Sequence, residues 1–346
     1  MKILLFTNTT SSLTPQTLHS ICGWLEEQNI SYNVFSSEVF EGQSPSIDEL
    51  CASISDYDLI CSFGGDGTTL RAAHVVGKSG VPLLSYNFGR LGFLSGACKD
   101  DLIPAMQAAI DGKLNFDARS MLELRVAYEH GRIDQQIVVN ELAVTRGHFG
   151  RIVELDLFIN GSLVTTIRGD GILVATPTGS TGYALSAGGP IISPENESIC
   201  VVPISPHSLT SRAVVTARND VILIVPNEQN RQKLALFIDG EVFWVAGDNQ
   251  VSAVTGEDPV PAQGAACTGN SESSGRPQAT PDSCNPGLQA TPDSCSPEPQ
   301  ATPNSDQSEV LWIEARICSE KLLLARFGPY DFYDHISQTF FRGRNA

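Results

Sequence analysis

Short apolar runs alternate with helix-like segments along the first 115 residues, and this alternation constrains the fold more than any other feature. The apolar runs lie at Ile3–Thr7, Tyr32–Phe35, Leu59–Phe63 and Pro82–Tyr86. Helix-like segments follow Pro15 and cover Ile47–Ile54 and Thr68–Val76. Parallel strands need a crossover element between them, so strands that alternate with helices indicate a parallel sheet. We therefore expect an α/β domain with a parallel sheet over residues 1–115.

From Arg119 onward the pattern changes to strands in quick succession. Asn160-Gly161 and Asp239-Gly240 each separate two apolar runs, which is typical of a β-hairpin with a type I′ turn. Val221–Val225 and Val310–Ile317 are further strand candidates. These patterns predict a β-rich, mostly antiparallel domain over residues 116–329. A helix over residues 330–341 is expected to pack back on the first domain.

Residues 256–309 differ in composition from the rest of the chain. They contain nine of the twenty prolines, no aromatic residue, and eight acidic residues against one basic residue. An eleven-residue repeat starts at Gln278, Gln289 and Gln300. A segment with so few large apolar side chains cannot bury enough surface to offset its loss of conformational entropy. We expect a disordered Pro/Ser/Thr-rich insertion within the second domain, dispensable for chemistry.

The overall charge excludes some functions. The 39 acidic and 22 basic residues give a net charge of −17, which disfavours binding of nucleic acid or an anionic membrane by bulk charge. We find no apolar stretch near the ~18 residues that a membrane helix needs. The nine cysteines lie far apart, without a CxxC pair, and suggest reduced thiols in a cytoplasmic protein. The six histidines show no metal-ligand spacing, and we predict no protein metal site.

A glycine-rich turn follows the third apolar run. Gly64-Gly65-Asp66-Gly67-Thr68 stands between the strand Leu59–Phe63 and the next helix, where ligands bind in open parallel sheets. Glycines let backbone amides approach phosphate closely. The carboxylate of Asp66 would repel an anion unless it handles a proton or a metal. The alternative is a tight turn in which Asp66 caps the helix.

A second candidate site is the run from Gly169 to Tyr183, an Asp-Gly turn, a short apolar strand and a loop rich in hydroxyl groups. Thr176, Thr178, Ser180, Thr181 and Ser186 offer hydrogen bonds, and Tyr183 offers a ring face to a base. The spacing does not fit the serine-hydrolase elbow. Three motifs are weaker when each is taken alone: Asn140-Glu141 fits a strand edge, Asn87–Leu94 a packed loop, and Asp239-Gly240 a turn.

With these residues the chain resembles ATP-dependent NAD kinases of the bacterial type. The similarity involves Gly64–Thr68, Asn87–Leu94, Asn140-Glu141, Asp170-Gly171 and Thr176–Pro190, over residues 1–255 and 310–341. The glycine–aspartate turn alone is shared with diacylglycerol and sphingosine kinases, whereas the 176–190 run is more specific. Two departures are visible: the insertion, and Gly182, which stands where the family has alanine and would leave space against adenine.

The resemblance implies transfer of the γ-phosphoryl group of ATP to the 2′-hydroxyl of the adenosine ribose of NAD, giving NADP. Asp66 would accept the proton, beside Gly67, with Gly64, Gly65, Gly67 and Thr68 forming the phosphate loop. Asn140 and Glu141 would bind ribose or nicotinamide-side hydroxyls, and Asp170 would lie near the nicotinamide. The other implied NAD contacts are Arg71, Arg151, Arg168, Thr181, Gly182, Tyr183, Ala184, Leu185, Ser186 and Glu241.

The resemblance also implies a divalent ion, usually Mg²⁺, on the ATP phosphates, and a homo-oligomer, dimer or tetramer, in which a neighbour partly completes the site. A lipid kinase of the diacylglycerol type is the first alternative; the 176–183 run and the lack of an amphipathic basic segment disfavour it. A non-catalytic NAD-binding sensor is the second; it would gain nothing from Asp66. ATP against polyphosphate and NAD against NADH stay open.

Overall fold

A computed structural model describes residues 1–7, 15–36, 47–89, 92–147, 152–245 and 309–342. Within these ranges the chain forms six α-helices and seventeen strands. The candidate residue Arg151 lies outside the described residues, as do Arg90 and Leu91 of the Asn87–Leu94 motif and all of the predicted insertion except Glu309.

The helices are α1 (Pro15–Glu27), α2 (Ile47–Ser53), α3 (Asp66–Val76), α4 (Leu102–Ile110), α5 (Tyr183–Ser186) and α6 (Phe332–Ile336). The strands are β1 (Lys2–Thr7), β2 (Ser31–Ser36), β3 (Leu59–Phe63), β4 (Leu83–Asn87), β5 (Ala97–Cys98), β6 (Asn115–Tyr128), β7 (Ile133–Val138), β8 (Glu141–Thr145), β9 (Val153–Ile159), β10 (Ser162–Gly169), β11 (Gly171–Ala175), β12 (Cys200–Ile204), β13 (Val214–Val215), β14 (Ile222–Pro226), β15 (Ala235–Ile238), β16 (Glu241–Val245) and β17 (Val310–Arg326).

The first 115 residues form a parallel sheet with the order β2-β1-β3-β4, joined by crossover helices. Every residue of β3 and of β4 is buried, which explains why these strands are mostly apolar and do not alternate between apolar and polar residues. The α/β fold class expected for this part is confirmed. The glycine turn lies at the carboxyl end of β3, where α3 begins.

β17 extends this sheet into the second half of the chain. Its last residues pair in parallel with β4, while its first residues pair antiparallel with β14, and β6 pairs with it along most of its length. The sequence predicts a strand only over Val310–Ile317. The pairing with β6 is irregular between Ile317 and Lys321, where polar residues interrupt the apolar pattern before the strand resumes. One eleven-stranded sheet therefore crosses the predicted domain boundary.

The second sheet has six antiparallel strands in the order β13-β12-β11-β8-β15-β16. It confirms the expected β-rich second part. Asp239 and Gly240, between β15 and β16, have φ of 50° and 86°, as a type I′ turn requires. The Asn160-Gly161 hairpin also forms, but it joins β9 to β10 in the first sheet.

The core of the second part lies between the two sheets. Leu124 and Ile313 of the large sheet pack in one buried cluster with Leu142 and Leu236 of the small sheet. After β17 the chain forms α6 and one π-helical turn, Ser337–Phe341. The C-terminal segment returns to the first half, where the ring of Phe93 lies 6.2 Å from that of Phe332 and 5.9 Å from that of Phe340.

Gly96 offers a test of how closely β17 approaches the first half of the chain. A Cβ atom there would lie 2.0 Å from the carbonyl oxygen of Ala325. We expect Gly96→Ala to lower the free energy of unfolding by roughly 1–3 kcal/mol or more, because two backbone segments must separate. Gly23→Ala is the control: its Cβ meets nothing within 4 Å, so the helical substitution should stabilise by roughly 0.5–1 kcal/mol. Urea unfolding measures both, and equal stabilities would contradict the packing described.

Candidate active site

The glycine turn presents Asp66 at the start of α3. Gly64 leaves β3 with its amide bonded to the carbonyl of Tyr86, and a Cβ on Gly64 would lie 2.4 Å from Oγ1 of Thr68. Gly65 is the N-cap residue of α3, and no side chain caps the helix. The alternative interpretation of Asp66 as the cap is therefore wrong. Its carboxylate stands in the first turn of the helix, where the backbone dipole favours negative charge.

The loop after β4 surrounds this carboxylate. The Ser95 hydroxyl lies 3.5 Å from Oδ1 of Asp66 and accepts hydrogen bonds from the side-chain amide of Asn87 and the backbone amide of Gly92. A Cβ on Gly92 would lie 2.1 Å from the same Oδ1, so the approach requires glycine. Asn87 and Gly92 of the Asn87–Leu94 motif, together with Ser95, thus form the wall of the carboxylate site.

The electrostatic surroundings of Asp66 act in two directions. Burial raises the pKa of its carboxyl above the ordinary value, while hydrogen bonds from the amide of Phe93 and from Ser95 oppose the rise. The imidazole of His335, whose ring packs 4.4 Å from that of Phe93, also favours the ionised form. The result is a half-buried carboxylate with a raised pKa, a property that suits a proton acceptor.

Asn140 ends the connection between β7 and β8, and Glu141 is the first residue of β8. A buried carboxylate holds this Asn140–Glu141 connection. Oδ1 of Asp239 accepts hydrogen bonds from the amides of Asn140 at 2.6 Å and Glu141 at 2.9 Å, and Oδ2 accepts one from Val139 at 2.9 Å. The amide of Asp239 in turn donates to the carbonyl of Glu141. Asn140 is half-buried and Glu141 is buried.

The Glu141 carboxyl is buried with one oxygen unpartnered. Its Oε2 has no hydrogen-bond donor among the described residues. Burial, together with the nearby charge of Asp239, raises its pKa to about 7. A Cβ on Gly182 would lie 3.2 Å from this Oε2, so the space that glycine leaves at position 182 lies beside Glu141.

The hydroxyl-rich loop uses several of its hydroxyl groups to hold its own shape. Thr176 donates to the carbonyl of Val139, Ser180 to that of Pro177, and Thr181 to that of Thr178. A Cβ on Gly179 would lie 2.1 Å from the carbonyl oxygen of Asn140. The loop is therefore built directly onto the Asn140–Glu141 connection.

The residues after this loop form the short helix α5 and differ in exposure. Ala184 is buried, Leu185 is half-buried, and Tyr183 and Ser186 are exposed. The Tyr183 side chain is 45% exposed, so its ring is available to a ligand.

Two series of contacts connect the residues around Asp66 to the second sheet. In the first, Arg326 donates to the carbonyls of Phe93 and Ser95 and to Asp117, and Asp117 also accepts from Arg119. Arg119 then reaches Oγ1 of Thr178 at 3.4 Å.

In the second series of contacts, Nε2 of His74 on α3 lies 2.7 Å from Oδ2 of Asp239. The helix that carries Asp66 is thereby joined to the Asn140–Glu141 connection.

Some of the predicted contact residues pair with each other or lie elsewhere. Nε of Arg71 on α3 lies 2.8 Å from Oε1 of Glu241 on β16, and both side chains are exposed. Asp170 pairs with Arg146, and Arg168 pairs with Glu154.

Asp170 precedes β11 at the end of the small sheet that lies away from Glu141, and Arg168 stands two residues earlier, on β10 of the large sheet. In the pairing of β11 with β8, Ala175 is opposite Glu141 and Gly171 is opposite Thr145. Asp170 is five residues from Ala175, so at about 3.3 Å per residue it is roughly 17 Å from Glu141 along the strand. Within one chain these two residues therefore stand apart from the group around Asp66, Asn140 and Glu141.

Sequence reasoning missed the residues that support the site. Asp239 has a sequence signal, the Asp-Gly pair, but this signal indicates the turn and says nothing about the carboxylate. Arg119 and Arg326 each stand alone beside an apolar run. Such isolated charges suggest a buried pair, yet Asp117 is 209 residues from Arg326 in sequence, and only the fold brings them together.

The structure combines a parallel sheet that carries a glycine–aspartate turn with an antiparallel sheet that carries a polar loop. This combination is typical of the class of kinases that share the glycine–aspartate turn. Family profiles agree with this class. The ATP-NAD kinase N-terminal domain matches residues 3–114 and the ATP-NAD kinase C-terminal domain matches residues 139–257.

Relatives with known names support the same assignment. A NAD kinase of Geobacter metallireducens is 36% identical over 225 residues, which are 63% of this chain and 77% of that protein. A NAD kinase of Geobacter sp. (strain M21) is 39% identical over 188 residues, 54% of this chain and 65% of its own length. The chain belongs to the NAD kinase family.

Two solved structures share the fold. Yeast NADH kinase, complexed with NADH, superimposes with a TM-score of 0.70 at 20% identity, over 100% of this chain and 89% of that one. A NAD kinase from Archaeoglobus fulgidus, in complex with ATP, gives a TM-score of 0.58 at 20% identity, over 94% and 93% of the two chains. Among the described residues, no helix has the length and apolar character to cross a bilayer.

The raised pKa of Glu141 predicts a pH-dependent stability. The folded chain holds this proton more tightly than the unfolded chain, whose carboxyl has the ordinary value of 4.5, so the free energy of unfolding should fall as pH rises from about 4.5 to about 7. Glu141→Gln removes this contribution. Relative to the variant, the wild type should lose on the order of 3 kcal/mol between pH 4.5 and 8.

Urea unfolding across this pH range measures the difference. Glu195→Gln, at an exposed position, is the control and should follow the wild type. A constant difference between wild type and Glu141→Gln at all pH values would show that Glu141 ionises normally.

Proposed function

We propose that this protein is a NAD kinase, which transfers the γ-phosphoryl group of ATP to the 2′-hydroxyl of the adenosine ribose of NAD and forms NADP. One observation carries the proposal: a half-buried carboxylate, Asp66, stands at the mouth of a glycine turn, held by Ser95 and the amide of Phe93. A ribose hydroxyl is a weak nucleophile, and a carboxylate with a raised pKa can accept its proton as the bond to phosphorus forms.

The NAD-binding side of the site is formed by the Asn140–Glu141 connection and the loop that follows β11. The unpartnered Oε2 of Glu141 is suited to accept a hydrogen bond from a ribose hydroxyl, which would relieve a costly buried polar atom. The exposed ring of Tyr183 offers a face for a base. We assign Thr181 to Ser186 to the adenosine half of NAD on these grounds.

The donor side is formed by the turn Gly64–Thr68. Gly65 and Gly67 are exposed, so their backbone can approach the phosphates of ATP without obstruction by a side chain. Phosphoryl transfer passes through a loose transition state, so position and charge neutralisation supply most of the acceleration. Mg²⁺ commonly binds through substrate phosphates and retained waters, and we propose that the triphosphate carries it here.

We also propose that the protein acts as a homo-oligomer. Asp170 is roughly 17 Å from Glu141 along the strand within one chain, as the strand register and the rise per residue indicate, and Arg168 lies two residues before it. A neighbouring copy could bring its own Asp170 and Arg168 to the nicotinamide end of NAD. The described cysteines, which are free thiols, support a reducing, cytoplasmic compartment.

A direct assay tests the reaction. Purified protein is incubated with NAD, Mg²⁺ and ATP, and NADP is detected with an NADP-specific dehydrogenase. Parallel reactions with NADH, with polyphosphate, and with chelator in place of Mg²⁺ define acceptor, donor and metal requirement. Absence of NADP in every reaction would overturn the proposal.

Asp66→Asn should abolish most NAD phosphorylation while NAD binding persists. The amide keeps the size of the side chain but cannot accept the proton, so we expect a loss of roughly 10²–10⁴-fold in kcat. Isothermal titration calorimetry measures NAD affinity in the same preparation. Asp100→Asn, at an exposed position, should retain normal turnover. Near-normal turnover of Asp66→Asn would remove Asp66 from the mechanism.

Replacement of residues 256–308 by a short Gly/Ser linker should leave turnover within a few-fold of the wild type, since every candidate site residue lies outside this segment. Glu309 is retained because its carbonyl accepts the amide of Glu129 beside β17. Steady-state kinetics and thermal unfolding of both proteins measure the effect. Loss of activity by a protein that folds normally would assign a function to the insertion.

A further inference from the structure

The carboxylate of Asp239 makes more contacts than a hairpin turn requires. A type I′ turn needs residues that tolerate positive φ, and it makes no demand on the side chain. Here the Asp239 side chain is 2% exposed, and its two oxygens accept from three successive backbone amides and from His74. Two of these donors are the amides of the candidate residues Asn140 and Glu141, one is the amide of the preceding Val139, and the fourth is His74 on the helix that carries Asp66.

The three amides belong to Val139 and Asn140, which connect β7 to β8, and to Glu141, the first residue of β8. Buried amides without partners are costly. Val139 and Asn140 lie outside the strand ladders, and Glu141 is the first paired residue of β8. Asp239 therefore fixes the backbone from which the Asn140 and Glu141 side chains project. A change at Asp239 would move both side chains together.

His74 is the fourth donor and the link to α3. It lies eight residues after Asp66 on the same helix, and its Nε2 is 2.7 Å from Oδ2 of Asp239. The charged groups around it are Asp239, Glu241 on β16, and Arg71 one turn earlier, which pairs with Glu241; Glu141 lies on the other side of Asp239. Burial acts to lower the pKa of His74, but the hydrogen bond and charges of Asp239, with the charge of Glu241, raise it.

We propose that His74 and Asp239 form a positioning pair that fixes the NAD-binding connection against the helix of the catalytic base, and that the proton on His74 strengthens NAD binding. The protonated imidazole offsets the charge of Asp239, which otherwise stands unneutralised beside Glu141. Neither side chain is assigned contact with the reacting atoms. This inference rests on the proposed function, because it takes NAD as the ligand of the connection.

The test compares NAD affinity by calorimetry from pH 6 to 9 in the full-length wild type, His74→Leu and His74→Gln. Leucine removes the hydrogen bond, and we expect NAD binding roughly ten- to a hundred-fold weaker, with a smaller change in kcat. Glutamine keeps a donor but cannot carry the proton. Its affinity should match the wild type at high pH and lack the gain that the wild type shows at lower pH.

Comparison with His74→Gln at each pH removes contributions that both proteins share, including that of Glu141. His19→Gln, on the exposed face of α1, is the matched control and should behave as the wild type. NMR of ¹³C-labelled histidine gives an independent measurement: the His74 resonance should titrate above the ordinary value of 6.5, and Asp239→Asn should lower that midpoint.

The outcomes separate the two proposals. A wild type that neither binds NAD nor makes NADP contradicts the proposed function. A wild type that does both, with equal NAD affinity in a folded His74→Leu, overturns the positioning pair. Identical pH profiles of wild type and His74→Gln overturn the role of the proton. If His74→Leu does not fold, the pH profile of His74→Gln still tests the role of the proton, and the NMR titration still tests the interaction of His74 with Asp239.

Discussion

A buried guanidinium, Arg326, is the interaction on which the arrangement of the two halves depends. It ends β17, the strand that joins the parallel part of the large sheet to its antiparallel part, and Arg326 is only 4% exposed. A buried charge is tolerated only when it is paired and its hydrogen bonds are made. Asp117 and the carbonyls of Phe93 and Ser95 meet this requirement, and the ring of Tyr330 covers the guanidinium at 3.6 Å.

This requirement has a consequence for the carboxylate of Asp66, which we propose as the proton acceptor. The carbonyls that satisfy Arg326 belong to the same loop whose Ser95 hydroxyl and Phe93 amide contact Asp66. The position of Asp66 is thus determined by a residue 260 positions later in the chain. The rings of Phe332 and Phe340 from the C-terminal segment also pack on the ring of Phe93 in this loop. The wall of the site is a product of the whole fold.

Two buried carboxyl groups beside each other, Glu141 and Asp239, have opposite environments. Asp239 receives three amides and an imidazole, so its negative charge is well solvated by the protein. Glu141 has burial without compensation, and the charge of Asp239 adds to its raised pKa. Neighbouring carboxyl groups with environments this different take different tasks. Asp239 holds the backbone of the Asn140–Glu141 connection, whereas Oε2 of Glu141 has no donor among the described residues, in line with its proposed role in ligand binding.

The sequence is a good guide wherever the determining contacts are local. The first strands, α3 after the glycine turn and both Asx-Gly hairpins form where the apolar patterns and turn residues predict them. The end of β17 is missed because the interruption near Ser319 looks like a strand end, while the pairing with β6 that carries the strand past it is non-local. The extent of a strand across a bulge depends on its neighbour.

The residues of the candidate site also fall into those with a local sequence signal and those whose contacts are distant in sequence. Asp66 and Asn140-Glu141 are visible as polar residues at the ends of apolar runs, because chemistry at a strand end disturbs a local pattern. Asp239, Arg119 and Arg326 disturb no pattern strongly, since their partners are distant in sequence. Motif reading therefore finds the groups that would touch the nucleotides. It does not find the groups that position those residues, because their importance comes from the hydrogen bonds that they make once the chain has folded.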